Sequence, residues 1–180
     1  LPNGLPSTCE AIAGNALNRD DVNKALEGVD VVVQALGIVL SPKMPFEPVS
    51  LFSDATKILV PAMEEMKIPR LISVTGFGAG DSKEAINIFQ KLPFHFAFRH
   101  PYGDKSIQED IIENSNLDWL IVRPGVLTNG RSSGRYKVLT DKKSWRNGII
   151  ARADVADFIV SNFGKDGLSH AKPVLIRFPL

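Results

Sequence analysis

The apolar positions of this chain fall into two rhythms. Short, nearly continuous and β-branched blocks run over Val29 to Leu36, Arg70 to Thr75 and Asp118 to Arg123, as strands buried on both faces should. A weaker block at Cys9 to Ala13 and a last one at Pro173 to Phe178 read as further strands, while Gly134 to Thr140 alternates like a half-exposed one. Between the blocks the apolar spacing becomes helical. Asp20 to Glu27 turns Val22, Ala25 and Leu26 to one side and stops at Gly28, and Val49 to Lys67 turns Leu51, Phe52, Ala55, Ile58, Leu59, Ala62 and Met66 inward. Pro61 sits inside that second segment and removes a helix hydrogen bond, which predicts a kink or two shorter helices. A third helix is predicted from Pro101, placed in its first turn, to Ser115, with Ile107, Ile111 and Ile112 as its apolar stripe. A fourth spans Ala153 to Phe163, with Val155, Ala156, Ile159 and Val160 facing in and Gly164 ending it.

Alternation of strand and helix implies right-handed crossovers and an open, doubly wound parallel sheet of α/β class with helices on both faces. Ligands of such sheets lie at the carboxyl ends of the strands. Here those ends are Ala35-Leu36-Gly37, Thr75-Gly76 and Pro124-Gly125-Val126, all small or turn-forming, which leaves room for a flat ligand across the edge.

Composition narrows the partners. With 180 residues the chain fits one domain. Its 21 basic and 20 acidic residues give a net charge of +1, too little for a field that holds a nucleic-acid backbone or an anionic membrane. The longest apolar stretch, Val29 to Leu40, falls short of the roughly 20 residues that span a bilayer. Cys9 is the only cysteine and the three histidines are widely spaced, so the expectation is a reducing, cytoplasmic setting and no metal. A small-molecule substrate is the expected partner, with a homo-oligomer left open.

Tyr102 and Lys105 are the leading catalytic candidates. At 100° per residue they lie about 60° apart around a helix. An ammonium beside a phenol favours the phenolate, so the tyrosine would pass a proton near neutral pH. The alternative is that Lys105 pairs with Glu109 on a wet helix face while Tyr102 packs at the helix start. Thr75 would offer its hydroxyl to a substrate carbonyl, or satisfy local backbone. The segment Ile86 to Phe98, with Phe89, Phe94, Phe96 and Phe98, is either core or a lid or dimer contact, with core favoured. His95 and His100 have no evident carboxylate partner. Arg131, Arg135, Lys137, Lys142, Lys143 and Arg146 form a loosely basic stretch that reads as a solvated face or a phosphate contact.

The ordered segments Gly28-Val-Asp-Val-Val-Val-Gln-Ala-Leu-Gly37, Arg70-Leu-Ile-Ser-Val-Thr-Gly-Phe-Gly-Ala-Gly-Asp81, Tyr102-Gly-Asp-Lys105, Asn116-Leu-Asp-Trp-Leu-Ile-Val-Arg-Pro-Gly-Val-Leu-Thr128 and Arg152-Ala-Asp-Val-Ala-Asp-Phe158 resemble the atypical short-chain dehydrogenase/reductases with an NAD(P)H-binding, NmrA-like domain. That resemblance implies a Rossmann-type fold and NAD(P)H as cofactor; it does not choose between NAD and NADP, and NADP is taken as the working choice. It would place Asn15 and Ala16 by the adenine, and Ala35, Leu36 and Gly37 along the adenosine and ribose. Thr75, Gly76, Lys105, Pro124, Gly125 and Val126 would sit by the nicotinamide half. In the wider superfamily the tyrosine stands four residues before the lysine, a place held here by Pro101. Members also begin with a strand, a Gly-x-x-Gly-x-x-Gly turn and a helix that hold the pyrophosphate. No such sequence occurs here, and Gly76-Phe-Gly-Ala-Gly80 has the wrong spacing and place. The resemblance therefore implies an N-terminally incomplete domain, preceded by roughly 30–45 residues. By the family's strand order, Cys9 to Ala13 would be separated from Val29 to Leu36 by two strands, a gap of roughly 10 Å. Three functions stay open: hydride transfer to a small carbonyl or conjugated substrate, cofactor sensing without turnover, and a structural subunit that keeps the fold.

Overall fold

The computed structural model describes residues 8–39, 46–85, 88–164 and 167–179, with the side chains of 88–97 outside the described part. In chain order the elements are α1 (Arg19–Ala25), β1 (Val31–Gln34), α2 (Leu51–Glu65), β2 (Arg70–Val74), α3 (Ile88–Glu113), β3 (Asp118–Pro124), β4 (Val126–Thr128), β5 (Lys137–Leu139), β6 (Gly148–Ala151), α4 (Arg152–Val160), β7 (Val174–Ile176) and β8 (Phe178–Pro179). The main sheet has the order β1-β2-β3-β7-β5. Its first four strands are parallel and β5 is antiparallel to β7. A smaller sheet, β4-β6-β8, continues from the end of β3.

Strand residues alternate between two cores. Leu71, Trp119 and Ile121 face α1, α2 and α3 through Val22, Leu26, Val60, Met63 and Ile112. Ile72, Leu120 and Val122 face α4 through Val155, Phe158 and Ile159. Both faces of β2 and β3 are thus buried, which is why those strands read as unbroken apolar runs.

Several expectations are corrected. Cys9 to Ala13 forms no strand among the described residues and is exposed, because no ladder partner lies beside it. The five-stranded sheet consequently has no central gap, and β1 is its outer strand. Helix α2 runs through Pro61 as one element. Pro61 is exposed, and the carbonyl of Lys57 that loses its donor lies on the same solvent side. Pro101 is not in a first turn but well inside α3 and buried, since that helix begins at Ile88. Ile107 is half exposed, and the inward face of α3 carries Asp104, Gln108 and Glu109 instead. On α4, Ala156 and Val160 face solvent and Phe158 takes the core position. The side chains of the aromatic stripe at Phe89, Phe94 and Phe96 lie outside the described part, as does that of His95.

Candidate active site

Parallel pairing of β1, β2 and β3 sets Gln34 beside Ser73 and Val74 beside Val122, so the segments that follow these strands leave the sheet on one edge. Ala35 to Gly37, Thr75 to Gly76 and Pro124 to Val126 therefore line one carboxyl-end crevice. A side chain at Gly37 would meet nothing within 4 Å, which leaves open space at the end of β1. Asn15 and Ala16 lie elsewhere, in a cleft of about 400 Å³ along the outer side of β1 with Ile12, Val31 and Val33. Asn15 is engaged in local turns, its N–H donating to Asp21 and its side-chain oxygen accepting from Leu17.

Helix α3 delivers both leading candidates to the crevice. A methyl group on Gly76 would stand 3.0 Å from the Tyr102 hydroxyl oxygen, so that phenol lies directly against the strand end and a side chain there would have to push it back by a few tenths of an ångström. Phe98 meets the same ring edge-on at 6.2 Å. The ammonium of Lys105 donates to the carbonyl of Thr75 at 2.7 Å and sits 4.3 Å above the Phe52 ring. Burial pulls the Lys105 ammonium down to about 8, against the upward pull of the Glu109 and Asp104 charges. Burial likewise pushes the Tyr102 phenol above its ordinary value. The expected lowering of the phenol is thus absent, because desolvation disfavours the phenolate in this setting.

Beneath the crevice lies a buried charge network that the spacing argument missed. Glu109 and Arg123 are fully buried and joined by two hydrogen bonds, Nε to Oε1 at 3.0 Å and Nη2 to Oε2 at 2.6 Å. Thr75 donates its hydroxyl to the same carboxylate at 2.6 Å. Its proton is therefore committed to Glu109 and not held out to a substrate carbonyl. The pairing of Lys105 with Glu109 on a wet face is also corrected, since Glu109 turns into the core. Arg123 reaches on to Asp81 at 2.7 Å. Burial pushes the Asp81 carboxyl upward, but hydrogen bonds from Lys142 and Arg123 outweigh it and hold the group well below the usual carboxylate range. Gly80 closes over this network with φ of 51°, and a side chain there would meet Glu109 Oε2 at 2.1 Å. The Gly76 to Gly80 run thus wraps the strand end around a buried ion pair.

A second polar cluster fixes the helices. Asp104 accepts from the N–H groups of Phe52, at 2.8 Å, and Ser53, so α3 supplies the cap that Ser50 does not give α2. Gln34, Thr56, Ser73 and Gln108 are hydrogen-bonded to one another where β1 and β2 meet the two helices. None of these was a sequence candidate. A carboxylate or amide at an inward helical position was the signal that could have found them.

This edge of the sheet thus carries a largely buried phenol, Tyr102, and the ammonium of Lys105 beside the end of β2. A glycine-rich phosphate turn is not part of the 180 residues. No group of three or more metal-ligating side chains occurs among the described residues.

A family model described as NAD(P)H-binding matches residues 3–166. Solved structures with the same fold include chuY of the E. coli CFT073 strain, with 25% identity and a TM-score of 0.72 over 91% of this chain and 74% of that one. The ChuY of Escherichia coli O157:H7, described as an anaerobillin reductase, is 24% identical with a TM-score of 0.75 over 92% of this chain and 74% of that one. A short-chain dehydrogenase/reductase (wide type) of Veillonella parvula, in complex with NADP, is 16% identical with a TM-score of 0.72 over 91% and 70%. No curated protein sequence matches this chain.

Proposed function

This chain belongs to the NAD(P)H-binding family, and from that premise we propose that it is an oxidoreductase that transfers hydride to a small carbonyl or conjugated substrate. The observation that carries the reading is the meeting of Tyr102 and Lys105 at the end of β2, where Gly76 makes room for the phenol and the carbonyl of Thr75 holds the ammonium. Two neighbours of the same fold, one described as a reductase and one in complex with NADP, support the reaction class. NADP remains the preferred form.

When bound, NAD(P)H supplies the hydride. Ala35, Leu36, Gly37, Gly76, Pro124, Gly125 and Val126 would hold the cofactor along the strand ends, while Asn15 and Ala16 would meet it only if it reached around β1. Tyr102 donates the proton to the developing oxyanion, since a phenol kept protonated by burial is a hydrogen-bond donor at neutral pH. Lys105 would contact the ribose and offset the charge left on the phenol. Thr75 holds the end of β2 in place through Glu109. A cofactor sensor without turnover would use the same binding residues, and no particular contact favours it.

The test is NAD(P)H oxidation against quinones, aldehydes and ketones, with titration of NADH and NADPH. Tyr102→Phe should lower turnover by about 10²–10⁴-fold and leave cofactor affinity nearly unchanged. Lys105→Ala should weaken both. Turnover that survives Tyr102→Phe would remove the phenol from the mechanism, and binding without any turnover would make the protein a sensor.

A further inference from the structure

The basic stretch that follows β4 has a use that the cofactor crevice does not absorb. A recess of about 320 Å³ lies between the 128–133 segment, β6 and the start of β8. Arg131 and Arg177 are among the residues that line it, together with Ile149, Ile150, Ala151 and Phe178. Neither arginine takes part in an ion pair or side-chain hydrogen bond among the described residues. Arg177 is half-buried and stacks at 4.8 Å over the Phe178 ring.

The carboxylate that holds the 132–134 segment next to Arg131 is fully engaged there. Asp154 is fully buried at the start of α4, and it accepts from the Ser132 hydroxyl at 3.0 Å, the Ser133 N–H at 2.6 Å, the Ser133 hydroxyl at 3.0 Å and the Gly134 N–H at 3.1 Å. Those four bonds pin the segment that presents Arg131 and turn the Asp154 charge toward the backbone. The recess is thus lined by two arginines without ion-pair partners among the described residues, while the nearby Asp154 is satisfied by neutral donors. Two arginines beside an aromatic ring and aliphatic side chains suit a planar oxyanion on an apolar body. A polyanion fits poorly, since the arginines line a concavity and the whole chain carries a net charge of only +1. The recess is also close to the crevice, because Thr128 stands three residues beyond Gly125, at most about 10 Å along the strand.

We propose that this recess is a subsite for an organic carboxylate with an apolar scaffold, and that it holds the anionic end of the substrate whose carbonyl lies at Tyr102. The second half of that statement rests on the reductase reading above. The first half stands without it.

The experiment is a calorimetric titration of the full chain with 2-naphthoate, with the uncharged 2-naphthamide and with inorganic phosphate, in the absence of cofactor. Naphthoate should bind about tenfold or more tighter than naphthamide, and phosphate should not compete at equal concentration. Arg131→Gln should weaken naphthoate by roughly threefold and the less exposed Arg177→Gln by about tenfold. Arg177→Lys, which keeps the charge but not the fork, should fall between the parent and Arg177→Gln. Melting curves of each variant check that the fold is retained. Equal affinity for acid and amide, a preference that survives the double Arg131→Gln, Arg177→Gln substitution, or full displacement by phosphate would overturn the subsite. A second arm compares an aryl keto acid with its methyl ester as oxidants of NADPH, where the Arg177→Gln variant should lose the preference for the acid. Charge-dependent naphthoate binding with no turnover of either compound would keep the subsite and discard the reductase.

Discussion

Two lysine and glutamate side chains one turn apart on α3 have opposite fates. Lys105 reaches the crevice and Glu109 reaches the core, and their environments set what each can do. The Lys105 ammonium titrates near 8 because burial disfavours its charge, so any cofactor affinity it supplies is present below that pH and fades as pH rises through it. Titration of NADPH from pH 6.5 to 9.5 should show this loss, and Lys105→Ala should flatten the profile. The same shift acts on stability with the opposite sign. Between about 8 and the ordinary lysine value near 10.4, the unfolded chain holds the proton that the folded chain has released, so this group's contribution to stability rises with pH across that window. For Glu109 the consequence is packing and charge together. Removing it in Glu109→Ala leaves Arg123 buried with Asp81 as its remaining carboxylate. Breaking a buried pair costs about 3–5 kcal/mol, and the surviving Asp81 contact argues for the low end, about 3 kcal/mol. Urea unfolding measures it, and a change under about 1 kcal/mol would mean that Arg123 finds water in its place.

At the scale of elements, the polar inner face of α3 couples helices that the apolar pattern treats as independent. Asp104 caps α2 from outside that helix, so Asp104→Ala should lower stability by roughly 1–2 kcal/mol, with the loss of protection in hydrogen exchange concentrated at Phe52 and Ser53. This coupling explains what could be read from sequence and what could not. The strands β2 and β3 were legible nearly to the residue, since a strand buried on both faces must be apolar throughout. That Tyr102 and Lys105 lie on one side of a helix was legible because helical spacing is fixed, and both reach the end of β2. The start of α3 was not, because Pro101 is a favoured first-turn residue and only tertiary packing keeps it inside a longer helix. The destinations of Asp104, Gln108 and Glu109 were hidden for a related reason. A charged residue is usually exposed, and its burial depends on partners such as Arg123 and Phe52 that lie far away in the chain. Cys9 to Ala13 looked like a strand by composition alone, and strand formation needs a neighbour that periodicity does not report.

The whole molecule brings three distant stretches of sequence to one edge, and that convergence gives the cofactor reading its sharpest test. The segments after β1, β2 and β3 each carry a glycine but lie far apart in the chain, and parallel pairing places all three at the carboxyl side of the sheet. A dinucleotide lying there would shield them together, while a ligand confined to the cleft beside α1 would shield Asn15, Ala16 and the outer side of β1. Hydrogen exchange followed by mass spectrometry, with and without saturating NADPH, distinguishes the two. Added protection should occur jointly in peptides covering 35–37, 75–76 and 125–126, with little change over 114–117 at the opposite, amino-terminal edge of the sheet. The amide of Thr75 is already bonded to Val122 and that of Gly125 to Leu175. The largest gains are therefore expected at the more open end of β1, at Leu36 and Gly37, rather than at the buried Gly76. Protection limited to 12–33 would move the cofactor to the α1 cleft and detach it from Tyr102. Protection at the three strand ends that persists in Lys105→Ala, with lower affinity, would fit a lysine that contributes to binding while the strand ends define where the cofactor lies.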